Sequence, residues 1–155
     1  WKHFKQHYYL DLPMPPAAEY SVGAVDGEMV AHLAVAPFFQ NGSYRATRLV
    51  VMPEWQGAGV GTRFLEWVCQ YHADGNGRCG KKLPTMFHTS HPQLIGFLKH
   101  SKRWVLKSQQ MFGNKSRKNT SAGSRPRGEP GVKRSVKFMG GHFRAVQGFK
   151  YIGNR

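Results

Sequence analysis

Three glycines at alternate positions, Gly57, Gly59 and Gly61, follow Gln56 and close on Thr62. An apolar stretch, Leu49-Val50-Val51, runs up to Pro53 ahead of them, and an amphipathic pattern from Thr62 to Tyr71 comes after. A strand that turns through glycines into a helix leaves backbone N–H groups unpaired and converging, with the positive end of the helix dipole behind them. The chemistry this permits is anion binding, above all of phosphate. Glycines weaken a loop or helix through backbone entropy, so three of them argue against a turn that holds nothing.

Spacing decides among the known phosphate cradles. A P-loop needs Lys-Ser/Thr directly after its last glycine, whereas Thr62-Arg63 stand here. In the dinucleotide fingerprint the third glycine comes one residue later, and the acid nearest the required offset, Asp74, falls in a loop. The pattern V-x-P-x-x-Q-G-x-G-x-G, Val51 to Gly61, resembles the pyrophosphate-binding motif of the GNAT superfamily of acyl-CoA-dependent N-acyltransferases. Gln56, Gly57, Ala58, Gly59, Val60 and Gly61 match that motif position by position. The resemblance implies an α/β (α+β) fold: a mixed, mostly antiparallel sheet flanked by helices and splayed at the motif strand. It implies acetyl-CoA, or another acyl-CoA, as donor, held by Leu49, Val50, Val51 and the run Gln56, Gly57, Ala58, Gly59, Val60, Gly61 and Thr62. It further implies that the N–H of Val51, or of its neighbour Met52, polarises the thioester carbonyl, and that the amine attacks directly.

Acyl transfer to an amine also needs a base for the amine proton and an acid for the departing thiolate. Family members often carry a carboxylate on the motif strand; Tyr44 to Met52 has none, and offers Arg45 and Arg48 instead. Glu54 lies in the turn, where facing solvent or capping the helix is its expected role. Histidine is the natural substitute near neutral pH. His7, in an aromatic N-terminal cluster, and His88, at the end of the fourth strand, are the candidates; His32, in mid-strand, reads equally as a core residue. The family's usual acid, a Tyr on the helix after the fourth strand, is absent from Pro92 to Leu106. Tyr9, then Tyr8 and Tyr151, stand in as candidates, and Ser90 is either a contact to the pantetheine or thiol, or a helix N-cap. No spacing of the HExxH type suggests a metal site.

The chain has 155 residues and a net charge of +15, from 23 Lys+Arg against 8 Asp+Glu. Self-repulsion of that size points to a polyanionic partner, nucleic acid being the simplest, DNA or RNA. Twelve Lys+Arg and one acid, Glu129, lie between Lys99 and Lys137. This stretch is either a solvated loop or a clamp on phosphate backbone, with Trp104, Phe112 and Phe138 available to stack on an unpaired base. The candidate contacts are Arg45, Arg48, Lys99, Lys102, Arg103, Lys115, Arg117, Lys118, Arg125 and Arg127. Two cysteines, Cys69 and Cys79, make no disulfide framework. No apolar run reaches the ~20 residues of a membrane span. The expected location is the cytoplasm of a prokaryotic or phage-infected cell, with oligomeric state left open.

These residues must be positioned by a single domain, 1–155, carrying a basic insertion over 107–134. A short helix is expected over Trp1 to Leu10, then strands Tyr20 to Val25 and Glu28 to Ala36 around an Asp26-Gly27 hairpin turn. A strand over Tyr44 to Met52, the cradle, the helix to Tyr71, a strand over Leu83 to Thr89 and a helix over Pro92 to Leu106 follow, with strands at Ser135 to Met139 and Phe143 to Ile152. This order resembles the GNAT fold from its second strand onward. His7-Tyr8-Tyr9-Leu10, Thr89-Ser90-His91-Pro92, Arg103-Trp104 and Phe149-Lys150-Tyr151-Ile152-Gly153 resemble a prokaryotic and phage subgroup that includes relatives of Mom-type DNA-modifying enzymes. The function expected is acyl transfer to an amine on nucleic acid, such as a base. The alternatives are a protein lysine or small-amine acetyltransferase, and a nucleic-acid-binding module without catalysis.

Overall fold

A computed structural model of the chain describes residues 1–8, 14–110 and 145–153. Helix α1 spans Lys2–Lys5, and strands β1, Glu19–Val25, and β2, Glu28–Phe38, form the hairpin. Its turn residues Asp26 and Gly27 both have positive φ, 50° and 85°, as a two-residue hairpin turn matched to strand twist requires. β3 spans Ser43–Val51, α2 Val60–Ala73, β4 Thr85–Thr89, α3 Pro92–His100, β5 Trp104–Gln110 and β6 Val146–Tyr151. The six strands form one sheet in the order β1-β2-β3-β4-β6-β5. Every junction is antiparallel except β3–β4, which is parallel because α2 makes the crossover between them.

That parallel junction is short. β3 meets β4 only where Tyr44, Arg45 and Ala46 face Thr85, Met86 and Phe87, whereas β3 stays paired with β2 as far as Val51. The two strands therefore part after Ala46, and the edge of β3 from Thr47 onward is left open. Within that open stretch β3 carries a bulge. His32 faces Val50 and Ala34 faces Thr47, so Arg48 and Leu49 together oppose Leu33. Arg48 takes the left-handed conformation, φ 56°, at a cost of about 1–3 kcal/mol for a residue with a side chain.

Two apolar layers hold the sheet. On one face Leu65, Val68 and Cys69 of α2 pack against Leu33, Val35, Tyr44, Ala46, Phe87, Phe149, Trp104 and Tyr151. On the other, Phe4 of α1 packs with Val50 and Met52, flanked by Trp1, Tyr8 and Trp55. Each fully buried large side chain contributes about 1.5–3 kcal/mol.

Several boundaries differ from the sequence expectation. α2 begins at Val60 rather than Thr62, which places Gly61 inside its first turn. The helix expected to run to Leu106 ends at His100, and Trp104 to Leu106 instead open strand β5. β5 extends to Gln110, so the expected start of the basic insertion, residue 107, lies inside a strand. Most of that insertion and the expected strand from Ser135 to Met139 lie outside the described residues.

Candidate active site

The splay between β3 and β4 opens into a cavity of about 830 Å³. Its lower wall is the glycine turn, Gln56, Gly57, Gly59, Gly61 and Thr62; Thr47, Leu49 and Val51 supply the open strand edge, and His88, Leu94 and Phe97 the opposite wall. Gly57 and Gly59 have φ of 83° and 76°, a conformation that side chains disfavour. Gly59 is the N-cap of α2, and no side chain caps the helix. The first-turn N–H groups of α2 are therefore not capped by any side chain, and Gly61 and Thr62 of that turn lie in the cavity wall. At Gly61 a methyl group would stand 2.9 Å from Val51 Cγ2, so only glycine lets the helix approach the strand this closely. These features fit a pyrophosphate held by backbone amides.

Strand geometry separates the two candidate carbonyl donors. In an antiparallel ladder successive residues direct their N–H and C=O groups to alternate edges. Met52 N–H donates to the Val30 carbonyl at 2.9 Å, so Met52 is committed to β2 and drops out of the role. Val51 faces the open edge, where its carbonyl accepts the Gln56 side-chain amide at 2.9 Å. Its N–H therefore addresses the cavity. The bulge at Arg48 sets this phase, since removing one residue would invert it.

His88 lines the cavity on the far side. Desolvation in the cleft, and second the Arg45 guanidinium, hold its imidazole below the ordinary value of 6.5. It is neutral, and able to accept a proton, at neutral pH. Arg45 and Arg48 also line the cavity, and among the described residues no Asp or Glu does. Arg48 is buried, its guanidinium over the rings of Trp1 at 5.9 Å and Tyr8 at 5.5 Å. It belongs to the wall of the cleft rather than to an exposed phosphate-binding face.

Tyr8, one of the candidate acids, also lines the cavity. Several other candidates lie away from it or outside the described residues. His7 is exposed beside Gln6 and does not line the cavity. Tyr9 lies outside the described residues, as do Lys115, Arg117, Lys118, Arg125 and Arg127. Ser90 is neither a lining residue nor the helix cap: the N-cap of α3 is His91, whose N–H donates to Thr89 Oγ1 at 3.1 Å. Val50 is buried on the opposite face with Phe4 and Met52, and neither Ala58 nor Val60 contributes to the lining. Lys99 and Lys102 are exposed, while Arg103 donates to Glu66 at 2.8 Å. Trp104 is a core residue that donates its indole N–H to Glu66 at 3.1 Å, so it cannot stack on a base. Tyr151 is likewise buried, donating to Gln70 Oε1 at 3.0 Å. Neither cysteine lines the cavity, and burial pushes the Cys69 thiol far up. His32 is buried among Trp1, Phe4 and Tyr20, with Nδ1–H donating to the Arg48 carbonyl at 3.3 Å. Thr47, Leu94, Phe97 and Val146 line the cavity without having been legible as site residues. Only the pairing of strands brings them in.

A model of the acetyltransferase (GNAT) family matches residues 1–102. No curated protein matches the sequence. Among solved structures, the ribosomal-protein-S18-alanine N-acetyltransferase of Escherichia coli aligns with a TM-score of 0.59 at 12% identity, covering 99% of this chain and 86% of that one. A GNAT family acetyltransferase of Elizabethkingia anophelis with acetyl-CoA bound gives 0.53 at 14% identity, over 88% and 76% of the two chains. A chimera of the Vibrio cholerae spermidine N-acetyltransferase gives 0.58 at 11% identity, over 88% and 68%.

Proposed function

The chain belongs to the GNAT acetyltransferase family, and from that premise we propose that it transfers an acetyl group from acetyl-CoA to an amine carried by nucleic acid. The observation that carries this reading is the cleft itself. It joins an amide cradle at one end to a neutral histidine at the other, with Arg45 in its lining.

Acetyl-CoA supplies an activated thioester. The amides of Gly57 to Thr62 hold its pyrophosphate, and the open edge of β3 aligns its arm. Val51 N–H donates to the thioester carbonyl oxygen and stabilises the negative charge that builds there as the amine attacks. His88 takes the proton that the acceptor nitrogen loses on bonding to the carbonyl carbon; the C–S bond then breaks, and CoA leaves as a thiolate that takes a proton from the His88 imidazolium or from water. No acyl-enzyme is needed, since neither cysteine reaches the cleft.

Charge supports the nucleic-acid acceptor. A polyamine or lysine acceptor is a cation, which the Arg45 guanidinium in the cleft disfavours. An exocyclic base amine is neutral before attack and arrives with phosphates beside it, which suits Arg45 and a chain of charge +15. A base within a duplex would first be extruded. The short likenesses to Mom-type relatives point the same way.

The test is incubation with labelled acetyl-CoA and, in parallel, single-stranded DNA, tRNA, a lysine-peptide pool and spermidine. Label on nucleic acid is the expected outcome. Label confined to peptide or spermidine overturns the acceptor assignment and leaves the acetyltransferase standing. Salt-sensitive retention of DNA with no label anywhere favours a binding module.

A further inference from the structure

His88 on β4, Gly148 on β6 and Ser108 on β5 form one cross-strand row, His88 opposite Gly148 and Gly148 opposite Ser108. Cross-strand partners share a face of the sheet, so all three face the same way. The middle position has no side chain, and its neighbours lean into the gap. A methyl group built on Gly148 would stand 2.3 Å from Ser108 Oγ and 2.7 Å from His88 Nε2. The two polar atoms therefore lie within about 5 Å of each other, a span that one bridging water closes.

Two irregularities of the fold produce this row. β6 is inserted between β4 and β5 although it comes last in the chain. β5 also shifts register between Leu106 and Ser108. Leu106 pairs with Phe149, so an unbroken ladder would set Lys107 opposite Gly148; the shift sets Ser108 there instead. A cation beside the imidazole is replaced by a hydroxyl.

We infer that Ser108 is a positioning residue for the reaction: through one water its hydroxyl holds the Nε2 side of the His88 ring, accepting from Nε2–H when the ring is protonated, and this leaves Nδ1 to take the proton from the acceptor. This rests on the assignment of His88 as the base. Gly148 provides the room. Among the described residues, the charged and titratable groups around the ring include Arg45 from β3, Lys150, two positions from Gly148 on the same face of β6, and His91, which lines the same cavity.

The experiment compares Ser108→Ala, Ser108→Thr, Gly148→Ala and His88→Gln by acetyl-CoA turnover as a function of pH. Ser108 is exposed, so its replacement leaves the core intact. Ser108→Ala should lower kcat about tenfold with KM for acetyl-CoA unchanged. Its acid limb should move to lower pH, because the imidazolium loses an acceptor. Ser108→Thr, which keeps the hydroxyl, should restore both. Gly148→Ala should match or exceed the loss seen in Ser108→Ala, its methyl group displacing the ring. If Ser108→Ala keeps wild-type kcat and pH profile while His88→Gln is inactive, the inference is overturned and the base stands. If His88→Gln is itself fully active, the base assignment fails, and the inference with it.

Discussion

At the scale of single residues, the site rests on positions where the side chain is absent or neutral. His88 held below 6.5 predicts a pH dependence with a definite sign. The active form is the unprotonated one, so activity is full above the depressed value and is lost as pH falls through it. The acid limb of kcat/KM should therefore lie below 6.5, and His88→Gln should remove that limb and cost about 10²–10⁴ in rate. An acid limb at or above the free-histidine value would sink the assignment. At Gly61, 2.9 Å of room between an added methyl and Val51 Cγ2 is an overlap, and relieving it costs about 1–3 kcal/mol. Gly61→Ala should accordingly raise KM for acetyl-CoA about tenfold, the equivalent of ~1.4 kcal/mol, with kcat little changed. The glycines were legible in the sequence because a phosphate cradle is local: spacing alone carries it. His88 was legible only as a residue type. Its desolvation beside Arg45 and its row with Gly148 and Ser108 depend on strand order, which no local pattern reports.

At the scale of elements, two sets of polar contacts fix the walls of the cleft. Glu66 of α2 accepts from Ser101 Oγ at 3.2 Å and Trp104 Nε1 at 3.1 Å, and from Arg103 Nη1 at 2.8 Å. It thereby ties α2 to the end of α3 and the start of β5. Glu66→Ala strands the indole N–H of the buried Trp104 and should cost about 1–3 kcal/mol, seen as a lower urea midpoint; an unchanged midpoint would show the tie to be idle. His32 performs a similar service for the β3 bulge. Burial lowers its pKa from 6.5 despite the opposing hydrogen bond to Arg48. The unfolded chain therefore binds the proton more readily, so His32 contributes stability above about 6.5 that is lost as pH falls toward the folded value. Melting temperature should drop on acidification, and His32→Gln should flatten that drop. The element misread from sequence was β5. The apolar spacing of Leu94, Phe97 and Leu98 continues acceptably through Trp104 and Leu106, and helical periodicity conceals the break. In the structure Ser101 is extended, with ψ 128°, and its aromatic and β-branched followers, Trp104 and Val105, take strand geometry.

At the scale of the whole molecule, a net charge of +15 governs how the chain meets its acceptor. Binding to a single-stranded oligonucleotide should weaken steeply with salt, by roughly 10³-fold or more between about 50 and 200 mM if six or more phosphates are engaged. Filter retention at graded salt measures the slope, and a flat response would remove the polyanion from the account. The family and fold class were readable before any coordinates because charge, glycine spacing and element order are properties of the string. The composition of the cleft was not, since its lining is drawn from β3, β4, α3 and β6 together.

The brevity of the β3–β4 junction reaches further. Three paired positions are all the backbone that joins the meander β1–β2–β3 to the trio β4–β6–β5. The first group is built from neighbours in the chain and closes its contacts early in synthesis; the second waits for β6, the last strand. Amide exchange should therefore resolve two cooperative units meeting at Tyr44 to Ala46, the first to acquire protection and the second to lag. A chain severed in the 74–84 loop should reassemble from its two pieces, because the core that α2 shares with both strand groups gives them a common apolar face to rejoin.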